Sequence, residues 1–168
     1  KKLFFKFFYS LSDLILVTSN DFKKEIKKYF QLESYVHRQT LDIEQIKKES
    51  KVKCKFDFFK KFKDLKIINI GRLTYQKDQI TLLKAFVKLT KYRQAKLLLI
   101  GNGDDKDDLQ RFIRSKEIDK LVKIIPYVRN PFKYVMISDV KVLSSRFEGN
   151  PNILLEIACL KKIIISSD

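Results

Sequence analysis

Lys66-Ile67-Ile68-Asn69-Ile70-Gly71-Arg72-Leu73 is an apolar run that closes on a glycine and a cation. Thirty residues on, Lys96-Leu97-Leu98-Leu99-Ile100 closes on Gly101-Asn102-Gly103. Short apolar runs bounded by turn residues read as buried strands. Three more follow at Lys123–Pro126, Val140–Leu143 and Lys162–Ser166. Helical patterns fill the gaps at Asp78–Tyr92, Asp105–Lys116, Pro131–Ser138 and Pro151–Leu160. This alternation predicts βαβ units and a mainly parallel sheet. The strands are near-continuous Ile, Leu and Val, as required when helices cover both faces.

Before Lys66 the pattern is looser. Leu14–Thr18 reads as a strand, Phe22–Phe30 as a basic amphipathic helix, Tyr35–His37 as a short strand and Leu41–Ser50 as a polar helix or linker. The opening Lys1-Lys2-Leu3-Phe4-Phe5-Lys6-Phe7-Phe8 mimics a signal peptide, but Lys6 and Asp13 interrupt it and no small-residue cleavage site follows. With its apolar rings and cations, this opening is a candidate for contact with an anionic membrane or a partner chain; packing against the rest of the protein is the alternative. No segment reaches the roughly 20 apolar residues that span a bilayer. Residue 1 is not Met, so the expected start lies inside a longer reading frame.

With 168 residues and 45% hydrophobic content, the chain suits one domain plus a fragment. Its 36 basic against 20 acidic residues give a net charge of +16. That excess attracts phosphorylated ligands, nucleic acid or anionic lipid. Most of it is Lys accompanied by Ile and Phe, a bias that an AT-rich genome also produces. The aromatics lie in apolar runs and are not interleaved with Arg, which argues against a nucleic-acid binder. Cys54 and Cys159 sit far apart in sequence, and His37 is the one histidine. Neither a zinc site nor a Cys-His nucleophile is expected, and a reducing compartment is.

The candidate ligand residues fall where strands give way to helices. Asn150 suits an N-cap and Pro151 a first helical position, placing Glu156 about two turns inside a helix and Glu148 in the loop ahead of it. At 1.5 Å rise per residue the two carboxylates stand roughly 8 to 10 Å apart along the axis, suited to two ends of one ligand. Orphan N–H groups at such a helix start suit phosphate, and a sugar nucleotide would fit the whole. The plainer alternative is a surface glutamate followed by a capped core helix. After Ile70, Gly71 permits a tight turn, and Arg72 and Lys77 place two cations at a helix start, suited to a diphosphate or simply solvated. Gly101-Asn102-Gly103 has Lys106 in place of a third dinucleotide glycine and reads as a plain turn.

The order Gly-Arg-Leu with Gln76-Lys77-Asp78, then Leu-Leu-Ile-Gly-Asn-Gly, Asn130-Pro131-Phe132-Lys133-Tyr134 and Leu143-Ser144-Ser145-Arg146-Phe147-Glu148-Gly149-Asn150-Pro151-Asn152-Ile153-Leu154-Leu155-Glu156 resembles the GT-B retaining glycosyltransferases of family four, the group-1 type. The resemblance covers nearly the whole chain and is specific from Ile68 onward. It implies an α/β fold: a Rossmann-like parallel sheet with helices on both faces at residues 51–168, and a remnant of an N-terminal acceptor domain plus linker at residues 1–50.

It also implies roles. Arg72 and Lys77 bind the donor diphosphate and stabilise the leaving nucleotide. Glu148 faces the donor sugar, and Glu156 bonds the ribose. Gly71, Gly149, Asn150, Pro151 and Asn152 lie along the sugar and phosphates, while Tyr127 and Val128 meet the base edge. The implied reaction is transfer from a nucleoside diphosphate sugar to a glycan or lipid-linked acceptor in polysaccharide, capsule or lipopolysaccharide synthesis. It needs no metal or other cofactor and takes place in the cytoplasm, peripherally at the inner membrane face.

Several positions depart from the family pattern. Lys161-Lys162-Ile163 stands where Gly-Lys-Pro is usual, and His37-Arg38-Gln39-Thr40 replaces the linker Asn-Pro. The first domain's Gly-rich loop is missing, and the chain stops at Ser166-Ser167-Asp168, ahead of a further Gly-rich loop. The expectation is a glycosyltransferase fragment truncated at both ends, the alternative being a non-catalytic nucleotide-binding remnant or one chain of a split enzyme needing a second.

Overall fold

The computed structural model describes residues 2–37 and 40–167; expectations attached to Lys1, the Lys2 side chain, Arg38, Gln39 and Asp168 lie outside the described residues. The chain forms two compact units. One runs to Leu41 and also counts Gly149–Asn152; the other holds Asp42–Glu148 and the residues from Ile153 onward.

In the first unit the signal-like opening is a helix, α1 (Lys2–Ser10), followed by β1 (Leu16–Val17), α2 (Asn20–Phe30) and β2 (Tyr35–Val36). Helix α2 starts where Ser19 Oγ accepts from Phe22 N at 3.1 Å, and it ends at Gln31 in the left-handed region. Strands β1 and β2 pair in parallel, Leu16 with Tyr35 and Val17 with Val36, so this segment is a small βαβ turn. Tyr9 meets Phe30 edge to face at 5.3 Å, joining α1 to α2. Leu3, Phe4, Phe7 and Phe8 stay exposed. Among the described residues no helix is long and apolar enough to cross a membrane.

The second unit begins with α3 (Ile43–Ser50), the stretch that sequence left between helix and linker. Asp42 caps it by accepting from Gln45 N at 2.8 Å, Ile46 is buried, and Asn130 Nδ2 donates to Glu49 O. A 3-10 turn (Asp57–Phe59) leads into β3 (Leu65–Ile70), α4 (Gln79–Leu89), β4 (Ala95–Ile100), α5 (Lys106–Ser115), β5 (Val122–Ile125), α6 (Phe132–Met136), β6 (Val140–Leu143), α7 (Asn152–Cys159) and β7 (Ile163–Ser166). The five strands are parallel in the order β5-β4-β3-β6-β7, a Rossmann-like open sheet.

Alternation along each strand sorts the core into two layers. Ile67, Leu97, Leu99 and Val122 face one cluster with Leu82, Leu83 and Phe86 of α4 and Leu109 and Ile113 of α5. Ile68, Leu98 and Ile100 face the other with Val135 of α6, Ile157 of α7 and Phe59. Both faces of β3 and β4 are therefore covered, as their unbroken apolar runs require, but the expectation does not extend to the edge strand β7, where Ile163 and Ile165 are exposed. The strand order reverses between β3 and β6, so the loops leaving their carboxyl ends stand at the switch point, the usual ligand position in such sheets.

Candidate functional site

The turn after β3 rests on the loop after β4. Gly71 N donates to Ile100 O at 3.0 Å, Leu73 N to Asn102 O at 2.8 Å and Asp105 N to Leu73 O at 3.1 Å. A Cβ on Gly101 would lie 1.9 Å from Gly71 O, and one on Gly103 2.1 Å from Leu73 O. These two glycines, plain turn residues by sequence, are where backbone touches backbone.

The turn then closes on itself and onto α4. Lys77 N and Asp78 N both donate to Thr74 O. Asp78 takes the left-handed conformation, φ 46°, and its carboxylate caps α4 by accepting from Thr81 N and, at 2.9 Å, Thr81 Oγ1. Buried Gln79 donates Nε2 to Arg72 O at 2.8 Å, and Asn69 donates to Val142 O at 2.9 Å, tying this turn to β6.

The loop after β6 is laced to the same turn. Arg146 N donates to Gln76 O at 2.8 Å, Gln76 Nε2 to Phe147 O at 3.1 Å and Ser144 Oγ to Lys77 O at 2.9 Å. The Arg146 guanidinium pairs with Asp78 at 3.1 Å and lies over the Tyr75 ring, 4.3 Å from its centre. At the end of this seam the Lys77 ammonium donates to Glu148 Oε1, and Ser145 Oγ donates to the same oxygen at 2.6 Å.

The electrostatics follow from this geometry. Burial alone would raise the Glu148 carboxyl, but the hydrogen bonds from Lys77 and Ser145, with the charges of Lys77 and Arg72, outweigh it and hold the group below the usual carboxylate range. Glu148 is thus an anion that accepts hydrogen bonds, not an acid that donates one. Glu156, half-buried in the second turn of α7, is pushed the other way by burial. Arg72 is exposed on the turn. Among the described residues no three His, Cys, Asp or Glu side chains gather in a way that could hold a metal ion.

Nearly all of the second unit, with these turns at the carboxyl ends of its strands, lies within a stretch that matches a known family. The description "Glycosyl transferases group 1" fits residues 51–168. The chain belongs to this family. An uncharacterized glycosyltransferase of Methanocaldococcus jannaschii is 34% identical over 171 residues, which is 99% of this chain and 42% of the relative. The amylovoran biosynthesis glycosyltransferase AmsD of Erwinia amylovora is 28% identical, over 89% of this chain and 42% of its own length. The chain therefore spans under half the length of these relatives. Among solved structures, a glycosyltransferase from Rickettsia africae superposes with a TM-score of 0.77 at 17% identity, over 96% of this chain and 47% of that one. HepE of Anabaena in complex with UDP-glucose superposes with a TM-score of 0.74 at 14% identity, over 92% and 44%. The sheet is that of a GT-B Rossmann-like domain.

Within this group-1 framework, the fold brings Gly71, Arg72, Lys77 and Glu148 together, although 71 positions separate the last two. Tyr127, 72% exposed, and Val128 follow β5, two strands from β3 on the same carboxyl edge. Helix α7 opens at Asn152, so Pro151 precedes the helix and is not its first residue, and Asn150 is not the cap. Proline's fixed φ suits the position just outside as well as just inside a helix, and such boundaries slide by a residue. Gly149 through Asn152 lead from Glu148 into α7, and a Cβ on Gly149 would meet open space. Sequence reading missed Gln79 and Ser145, which bond Arg72 O and Glu148, Arg146, whose partner Asp78 stands 68 positions back, and the supporting role of Gly101 and Gly103. It also passed over Lys141, a lysine inside an apolar strand, and that break in pattern was the available signal.

Proposed function

We propose that this chain carries the donor-binding part of a retaining glycosyltransferase, one that moves a sugar from a nucleoside diphosphate sugar to a glycan or lipid-linked acceptor in polysaccharide or lipopolysaccharide synthesis. The observation that carries this reading is the Lys77–Glu148 pair beside Arg72 at the β3/β6 switch point. Departure of a nucleoside diphosphate leaves negative charge, and fixed cations stabilise it without a metal. Arg72 and Lys77 take that part. Glu148, kept ionised, accepts from hydroxyl groups of the donor sugar. Glu156 accepts from the ribose, the Gly149–Asn152 backbone meets sugar and phosphate, and Tyr127 and Val128 meet the base. A glycosidase would instead need two carboxylates flanking one bond.

Relatives support the substrate class. One Campylobacter jejuni relative, 29% identical over 63% of this chain and 28% of its own length, is an N-acetylgalactosaminyltransferase whose name gives a diphospho-undecaprenol acceptor. AmsD is named for amylovoran biosynthesis, and HepE was solved with UDP-glucose. The acceptor side is supplied by a second domain or chain. The reaction takes place at the cytoplasmic membrane face, where α1, with its exposed aromatic rings, contacts anionic lipid peripherally.

Calorimetric titration with UDP and GDP tests the donor site. Each charge-assisted bond to phosphate contributes about 1.5–3 kcal/mol, so Arg72→Ala is expected to weaken binding on the order of 10- to 100-fold. Unchanged affinity would remove Arg72 from the site. Glu156→Gln is expected to weaken UDP and free uridine alike, because its partner is the ribose; loss confined to UDP would assign it to the phosphates. Transfer from radiolabelled donors to lipid-linked acceptors, with the product anomer read by NMR, tests the reaction, and inversion would refute the retaining course.

A further inference from the structure

Lys141 lies in the middle of the sheet. It pairs in register with Ile68 of β3 and Ile164 of β7, on the face that carries the cluster of Ile68, Leu98, Ile100 and Ile157, and it is 1% exposed. Its side chain runs to the carboxyl edge, where Nζ donates to Ile70 O at 3.2 Å, the carbonyl immediately before Gly71. Among the described residues that is its one hydrogen bond. An ammonium has three donors to satisfy, whereas an amine with one donor engaged sits far more cheaply in such a place.

The charged groups on the elements around it divide by position. Asp139 and Lys162 belong to the amino edge, Asp139 accepting from Lys66 N and Lys162 donating to Met136 O and Ser138 O. Arg72, Lys77 and Glu148 belong to the carboxyl edge, and Glu156 to α7. Burial, and then the charge of Lys77, hold the Lys141 amine well below the ordinary lysine range. The second of these causes depends on what charge stands at the carboxyl edge. A diphosphate arriving at Arg72 and Lys77 cancels the repulsion from Lys77 and adds attraction from the same side.

Resting on the donor-diphosphate reading above, we propose that Lys141 is a third cation held in reserve: binding of a nucleoside diphosphate over the Gly71 turn draws one proton from solvent onto Lys141 Nζ. The proton comes from water or buffer, and no other bond changes. The ammonium so formed lies beneath the turn, positions it through Ile70 O, and adds attraction for the leaving nucleotide only while the nucleotide is present.

The test is calorimetry of the full chain with UDP near pH 8 in two buffers of different ionisation enthalpy. Wild type is expected to take up as much as one proton per UDP. Its dissociation constant should rise with pH, by up to tenfold per pH unit, above the titration of the terminal phosphate near 6. Lys141→Met, similar in length and uncharged, should show neither effect. A wild-type protein that binds UDP with no buffer dependence overturns the inference and leaves the donor reading intact; so does proton uptake that persists in Lys141→Met. No binding of UDP or GDP by wild type sinks the donor reading and this inference with it. Lysine 13Cε NMR of wild type is independent of any variant. Conversion of the buried amine signal to ammonium on adding UDP supports the proposal, and an unmoved signal overturns it.

Discussion

Lys77→Met is expected to reduce nucleoside diphosphate affinity on the order of 10- to 100-fold, because it removes a charge-assisted contact of about 1.5–3 kcal/mol. It does a second thing that Arg72→Ala does not. Lys77 holds Glu148 ionised in a partly buried position, and without the ammonium only the Ser145 hydroxyl and the more distant Arg72 charge remain to offset burial. The Glu148 carboxyl should therefore rise in Lys77→Met. The sign for stability is fixed by the direction of the shift. A carboxyl lowered on folding contributes stability above its unfolded value near 4.5, and that contribution is lost as pH falls through its folded value. Melting temperatures of wild type and variant should thus differ near neutrality and converge at acid pH. A constant difference across that range would show that the ion pair is not what the mutation removes, and full retention of UDP affinity would show that Lys77 does not meet the phosphates.

Gly101→Ala is expected to be the most damaging single methyl in the second unit. The new carbon would stand 1.9 Å from Gly71 O, and both partners are backbone, so no side-chain rotation relieves the overlap. Overpacking of this kind costs about 1–3 kcal/mol. Here the displaced group is the turn that bears Arg72 and Lys77, so donor affinity should fall along with the melting temperature. Gly149→Ala is the control, since its Cβ meets open space, and its stability should stay within roughly 0.5 kcal/mol of wild type. Equal melting temperatures for the two variants would mean that the β4 loop does not brace the turn.

Much of the fold was legible in residue order. The apolar runs ending at Ile70, Ile100, Leu143 and Ser166 are strands in the structure, each shifted by no more than a residue at its start; burial on both faces explains the unbroken apolar runs of β3 and β4, whereas Ile163 and Ile165 of the edge strand β7 are exposed. Gly71 with Arg72 and Lys77 marked the turn, and Glu148 marked the loop, from local chemistry alone. Helix edges were less legible. The capping preferences of Asn150 and Pro151 differ too little between adjacent positions to fix where α7 begins.

Tertiary structure decided what those residues do to one another. Placement of β6 beside β3 is a pairing across 73 residues, and of β4 on the other side one across 30, that no local propensity encodes. Those pairings turn Lys77 and Glu148 into an ion pair, give Arg146 its partner Asp78, and set Gly101 against the Gly71 carbonyl. The same placement takes Lys141 from one lysine among many to a buried side chain bonded to Ile70 O beneath the Gly71 turn. Sequence determined the strands, the turns and the types of charge at each turn, because these depend on neighbours along the chain. The charge states and contacts of the site depend on desolvation and on groups from distant strands, and only the folded sheet brings those into range.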